Sequence, residues 1–318
     1  MDVAPQLREG GDFWYTRRAN QTAKGARGKV VFQAAILAFA IGGRELVPVW
    51  ADEFEGDRLD ETKWSYRTNF WGKEATWFAR PEDGAVVVSN GCAHLRIVKT
   101  SDGGYRSPQL QTGGALWDEL SPKSGHGVVW PFNEREMPKF AFRYGYCECR
   151  AKLQSHKGWW SAFWLQAFAN GATLDPRRSG VECDIMESFE PGRHIVHAFH
   201  YNGCGKEYRK FNAQRAPYTP GPESAWKKSY PISLGEFHTF GLLWEPDGYT
   251  VFVDGVQSGH KVGRGEGEAV SETEEFILVS TELMGYRRDG QPDPEVANAY
   301  EAGDEFVVDY VRVYGFSE

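Results

Sequence analysis

The segment Gly180-Val181-Glu182-Cys183-Asp184-Ile185-Met186-Glu187 sets three carboxylates among apolar neighbours. Side chains alternate along a strand, so Glu182 and Asp184 point to one face. Glu187, five residues beyond Glu182, points the other way unless one residue is inserted. A one-residue bulge at Ile185-Met186 returns it to the first face. Cys183 then turns into the apolar interior. Four effective strand steps part the two glutamate backbones by about 13 Å at ~3.3 Å per residue. Two long side chains leaning together close that gap toward the ~5–5.5 Å at which one carboxyl group attacks a sugar while the other moves a proton. Aspartate is too short to bridge it, which accounts for glutamate at the ends and aspartate in the middle.

Three like charges on one strand face repel, and burying each costs several kcal/mol. Their pKa values separate, and one proton is shared within the group. An acid then stands beside a carboxylate, as double displacement at an anomeric carbon requires. The competing reading is an exposed acidic strand. Against it, such strands do not usually alternate their acids with Val, Ile, Met and Phe.

The elements that must position these groups read as all-β. The chain has 318 residues, 41% of them hydrophobic, enough for one sizeable core. From Val47 onward, short β-rich runs alternate with Gly, Pro, Asp and Asn. They include Gly84–Val88, His94–Lys99, Tyr144–Leu153, Ser161–Ala167, Glu182–Ser188, His194–Tyr201, His238–Trp244, Tyr249–Asp254, Phe276–Thr281 and Glu305–Tyr314. Their spacing predicts a β-sandwich jelly roll of two curved antiparallel sheets rather than βαβ units. No internal repeat or linker divides the chain, so residues 44–318 read as a single domain. Asp118–Pro138, Ala216–Ala225 and Gly263–Ser271 read as long loops of the kind that wall a cleft.

The first 43 residues read apart. Arg17, Arg18, Lys24, Arg27 and Lys29 precede an apolar run from Val30 to Ala40 that ends in Ala38-Phe39-Ala40, the form of a signal peptide. An extra strand before the main fold is the alternative. The run is too short to span a bilayer. Export would place the protein outside the cell or in the periplasm. The net charge of −8 and the lack of a basic patch beyond the N-terminus argue against nucleic acid. Five cysteines match neither a disulfide framework nor a zinc pattern. Cys147 and Cys149, with Ala151, read as a row of small residues on one strand face. The Gly263-to-Gly267 run lacks the context of a phosphate loop.

The carboxylate segment resembles the bulged Glu-x-Asp-x-x-Glu signature of glycoside hydrolase family 16. Val49-Trp50-Ala51-Asp52-Glu53-Phe54, with Leu59-Asp60 and Lys63-Trp64, resembles the family's first strand. Tyr144-Gly145 through Ala151-Lys152, Trp160-Ser161-Ala162-Phe163-Trp164-Leu165, Phe237 through Trp244, Val253-Asp254-Gly255 and Val307 through Tyr314 resemble later strands, in order. Cys183 stands where an aliphatic residue is usual, and Ser161 where many members carry proline. Both departures blur the subgroup rather than the chemistry.

The resemblance implies a jelly roll with an open cleft, with Glu182 as nucleophile, Glu187 as acid/base and Asp184 hydrogen-bonded to the nucleophile. It implies a sugar platform at Trp160, Trp164 near the catalytic strand, and His200 in the cleft near the acid/base. Trp71, Glu74 and Trp77 resemble a wall on the non-reducing side. Core packing is the alternative for Trp164 and Trp160, and an ordinary aromatic loop for the other three. Alternation puts His197 opposite His194 and His200, so the three cannot share one ion. Catalysis needs no cofactor. The family's structural calcium would use Asp309 and a backbone carbonyl at Gly91, a salt bridge at Asp309 being the alternative.

The activity implied is a secreted, monomeric endo-hydrolase of β-1,3- or β-1,3-1,4-glucan. A β-galactanase acting on agar-, porphyran- or carrageenan-like chains is the alternative. Arg143, Arg177, Arg178, Arg287 and Arg288 are the candidate contacts for sulfated chains. A lectin-like jelly roll without turnover, or a transglycosylase, also fits the fold.

Overall fold

The computed structural model describes residues 39–41, 43–68, 77–114, 137–168, 175–200, 226–264, 268–285 and 291–317. In chain order the strands are β1 (Phe39–Ile41), β2 (Arg44–Asp52), β3 (Ser65–Tyr66), β4 (Val86–Ser89), β5 (Cys92–Arg96), β6 (Val98–Lys99), β7 (Tyr105–Arg106), β8 (Gln109–Gln111) and β9 (Gly145–Lys152). They continue as β10 (Trp159–Ala167), β11 (Glu182–Glu190), β12 (His194–His200), β13 (Trp226–Pro231), β14 (His238–Glu245), β15 (Gly248–Val253), β16 (Val256–Gln257), β17 (Glu275–Leu283) and β18 (Glu305–Phe316). Among the described residues, two short α-helices, α1 (Pro176–Ser179) and α2 (Glu295–Glu301), join them.

Two antiparallel sheets face one another as a jelly roll. One runs β1-β2-β18-β9-β14-β15-β16, with β5 on β18 and β4 on β5. The other runs β13-β12-β11-β10-β17-β8-β3 and carries the carboxylates. The core between them follows from alternation. Cys147, Cys149 and Ala151 of β9 point inward with Leu242 and Trp244 of β14 and Val311 and Val313 of β18. They meet Phe163 and Leu165 of β10, Cys183 of β11, Phe199 of β12 and Ile277 and Val279 of β17. Cys147, Cys149 and Cys183 are buried free thiols, the packing role read from the sequence, while Cys92 is partly exposed. Cys204 lies outside the described residues.

The sheet begins before the boundary expected at residue 43. Phe39–Ile41 pairs with Leu46–Arg44, so this part of the N-terminal segment forms a strand. Residues 1–38 lie outside the described residues, as do residues 118–136 of the expected loop Asp118–Pro138 and all of the one over 216–225. No helix among the described residues is long and apolar enough to cross a membrane.

Candidate active site

β11 is entered through a glycine that the packing demands. Gly180 has φ +88°, and a Cβ there would stand 2.0 Å from the Ala167 Cβ. Helix α1 precedes it, capped by Asp175, whose side chain accepts from the Arg177 N–H. The Val181 N–H then donates to Glu275 Oε1 at 3.1 Å. Turn, cap and buried carboxylate together fix the start of the strand.

The bulge lies where the spacing required it. Across β10, Trp164 pairs with Asp184 and Phe163 with Met186, so Ile185 is the extra residue. Ile185 and Met186, adjacent in sequence, both sit in the core. Glu187 is thereby returned to the face of Glu182 and Asp184. A bulge leaves a backbone group off the ladder. His197 of β12 meets this one: its Nδ1 lies 2.5 Å from the Ile185 carbonyl oxygen and its Nε2 3.1 Å from Ser258 Oγ. A carbonyl only accepts, so Nδ1 carries the proton and Nε2 accepts from the serine. Burial pulls the His197 pKa down to about 4, and the ring is neutral.

On the open face, His200 pairs across the ladder with Glu182. Its Nε2 stands 3.0 Å from Asp184 Oδ2. His200 thus stands on the carboxylate face beside Glu182 and Asp184, whereas the expectation set it near Glu187. Burial first, then the charges of Asp184 and Glu187, push the Glu182 carboxyl up to about 8, while His200 and Arg67 pull the other way. The trio therefore keeps a proton that separate carboxylates would lose. Glu182, Asp184 and His200 offer ligand atoms within 4.8 Å of one another. The Asp184–His200 contact already engages two of the three, and we assign no metal to them.

The aromatic expectations divide. Trp160, 9% exposed, shares the face of Trp164 and tilts against Phe189 at 5.3 Å between ring centroids, so little of it is free for a sugar. Trp164 lies beside the catalytic strand, paired with Asp184 and on the carboxylate face, and is closely packed there. It is 4% exposed, clusters with Phe78, Ala162, Phe276 and Leu278, and donates from Nε1 to Ser280 Oγ at 3.0 Å. Trp77 is half-buried and packs against the main core. Trp71, Glu74, Arg287 and Arg288 lie outside the described residues. Arg143 donates to the Glu272 carbonyl, and Arg177, on helix α1, pairs with Asp175.

At the calcium position, Asp309 Oδ2 accepts from Arg150 Nη1 at 2.5 Å, and the guanidinium lies over the Phe237 ring. Gly91, with φ +73°, turns between β4 and β5. Calcium takes six to eight oxygens. A carboxylate already engaged by a cation fits the ion-pair alternative better, and no step below uses a metal.

Two residues that the sequence reading passed over border Glu182. Gln166 follows Trp164 by two on β10, so alternation alone could have placed it on the open face. Arg67, 99 positions earlier and fully buried, donates from Nη1 to Gln166 Oε1 at 2.8 Å. No local pattern signals that pairing.

A jelly roll whose open sheet presents two glutamates and an aspartate on one bulged strand defines a glycoside-bond-cleaving class of site. The family model for glycosyl hydrolases family 16 matches residues 82–266, and the chain belongs to that family. A glucan endo-1,3-beta-glucosidase A1 from Niallia circulans is 24% identical over 297 residues, 86% of this chain. This chain spans 38% of that relative's length. A glucan endo-1,3-beta-glucosidase from Cryptopygus antarcticus is 25% identical over 298 residues, 87% of this chain and 94% of that protein. The X-ray structure of the endo-beta-1,3-glucanase from Pyrococcus furiosus matches with a TM-score of 0.60 at 24% identity, covering 88% of this chain and 98% of that one, a likeness of fold.

Proposed function

We propose that this chain is a retaining, endo-acting hydrolase of β-1,3- or β-1,3-1,4-linked glucan. The carrying observation is the bulge that brings Glu187 to the face of Glu182. In the first step Glu187, protonated, gives its proton to the glycosidic oxygen while a Glu182 oxygen attacks the anomeric carbon. The C–O bond to the leaving sugar breaks and a glycosyl ester forms. In the second step Glu187 takes a proton from water, whose oxygen attacks the same carbon and releases Glu182. Two inversions return the original configuration. Asp184, held by His200, supplies the charge that keeps a proton on the trio. The glucan reading is supported by the names of the two curated relatives. A polymer of this size is met outside the cell, in keeping with the apolar run before Ala40, and the protein is taken as a monomer.

The test is product analysis of the protein and its Glu182→Gln variant against laminarin, lichenan, xyloglucan, agarose, porphyran and κ-carrageenan. Oligosaccharides from laminarin or lichenan, none with the variant, are expected. Cleavage confined to the galactans replaces the glucan assignment. Binding of one polymer by both proteins without cleavage of any replaces the hydrolase with a lectin.

A further inference from the structure

Gln166 follows Leu165, which pairs with Cys183, so it stands beside Glu182 on the neighbouring strand, and its side chain is shut away from solvent. Arg67 determines which way its amide faces. A guanidinium only donates, so the Gln166 oxygen must turn to Arg67. The amide nitrogen is then left to face Glu182, and it lies 3.5 Å from Oε2. That contact is long, as catalytic hydrogen bonds often are before substrate closes them, and a small rotation of the glutamate shortens it. Arg67 is itself seated: its guanidinium lies 5.8 Å from the Trp164 ring centroid, and its backbone N–H donates to the Gln109 carbonyl at 2.8 Å. A buried cation requires an anion nearby. The Glu182 charge favours the charged form of Arg67, and Arg67 favours the charged form of Glu182.

We propose that Gln166, locked by Arg67, is the positioning residue of the nucleophile: it holds Glu182 as the anion and turns it toward the sugar, leaving the shared proton to Glu187. The inference rests on Glu182 being the nucleophile. The charged groups acting on Glu182 are Asp184 and Glu187 on its own strand, His200 on β12 and Arg67 beyond β3. Glu275 on β17 is also within electrostatic reach. Of these, only His200 and Arg67 favour the anion. His200 is already paired with Asp184, whereas Arg67 reaches Glu182 through a side chain with no other evident task. Three carboxylates alone do not specify which keeps the proton, and the Arg67–Gln166 pair breaks the tie.

The test uses the full chain with Gln166→Met, which keeps the shape and removes the amide, and Gln166→Glu, which keeps the shape and adds a negative charge. Glutamate labelled at the side-chain carboxyl carbon is followed by NMR against pH, with Glu182→Gln to assign the Glu182 signal. Glu182 is expected to titrate about 0.5–1 pH unit higher in Gln166→Met than in wild type, and higher still in Gln166→Glu. On a cleaved glucan, kcat is expected to fall about tenfold or more with KM within about threefold, and the acid limb of the pH profile to move upward with the titration. A Glu182 titration unchanged in Gln166→Met overturns the proposal, whatever happens to the melting temperature. Should wild type cut no polysaccharide, the hydrolase reading fails separately, and the titration alone decides this one.

Discussion

Burial and the neighbouring Asp184 charge push the Glu182 carboxyl up to about 8, so the coupled trio, taken together, keeps one proton to about that pH. Retaining hydrolysis needs one proton on the trio in the first step, so kcat/KM is expected to fall as pH rises through about 8. Asp184→Asn removes the largest charge acting on Glu182 and should move that alkaline limb to lower pH. It should also lower kcat about a hundredfold, since His200 loses its charged partner. A pH series of kcat/KM for both proteins checks the two effects together. An alkaline limb unmoved in the variant would show that Asp184 does not set the proton. The placement of Glu182, Asp184 and Glu187 on one face was legible in the chain because side-chain reach, like charge and alternation constrain them over six residues. Arg67 and Gln166 were not, because their pairing is made by the fold and leaves no local spacing.

At the level of elements, the bulge on β11 depends on a side chain from the next strand. His197 donates to the Ile185 carbonyl and accepts from Ser258, so one neutral ring satisfies two buried groups. His197→Ala leaves both unpartnered, which costs about 1–3 kcal/mol for each. The expected outcome is a lower urea midpoint together with a fall in kcat beyond the loss of folded protein, because Glu187 depends on the bulge for its aim. Phe199→Leu on the same strand, a core change away from the bulge, is the control. If it lowers kcat equally at equal stability loss, His197 is only a core residue. The long strands β9, β10, β11, β12, β14, β15, β17 and β18 were legible as runs of β-branched and aromatic residues. Strand β8 was not: Gln109-Leu110-Gln111 lacks β-formers, yet all three side chains are buried between β3 and β17. Nor was the half-core, half-cleft character of β10. A strand covered on both faces gives Trp at 160 and 164 no pattern that separates platform from pillar.

The two sheets close on a core that also contains a carboxyl group. Glu275 of β17 is fully buried, accepts from the Val181 N–H, and is pushed up to about 8 chiefly by that burial. Its folded-state value is raised above the ordinary value of 4.5, so its contribution to stability is fully present below about 4.5. That contribution declines as pH rises and is lost through about 8, where the folded state must ionise a buried acid. Glu182 acts with the same sign. The protein is therefore expected to unfold at lower urea at pH 9 than at pH 6. Glu275→Gln should flatten that dependence while lowering the midpoint at pH 6 by less. Urea titrations across the range measure both, and an equal slope in the two proteins would remove Glu275 from the account.

The bulge has a consequence for inheritance. It absorbs one residue without disturbing what lies on either side, since Ile185 and Met186 both go into the core. Losing either codon would leave Glu-Cys-Asp-x-Glu, in which plain alternation sets the last glutamate on the same face as the first. Most single-codon losses within a buried strand turn every following side chain over. Here the loss would return the strand to its regular phase, so two spellings of this site, one codon apart, can share the same chemistry.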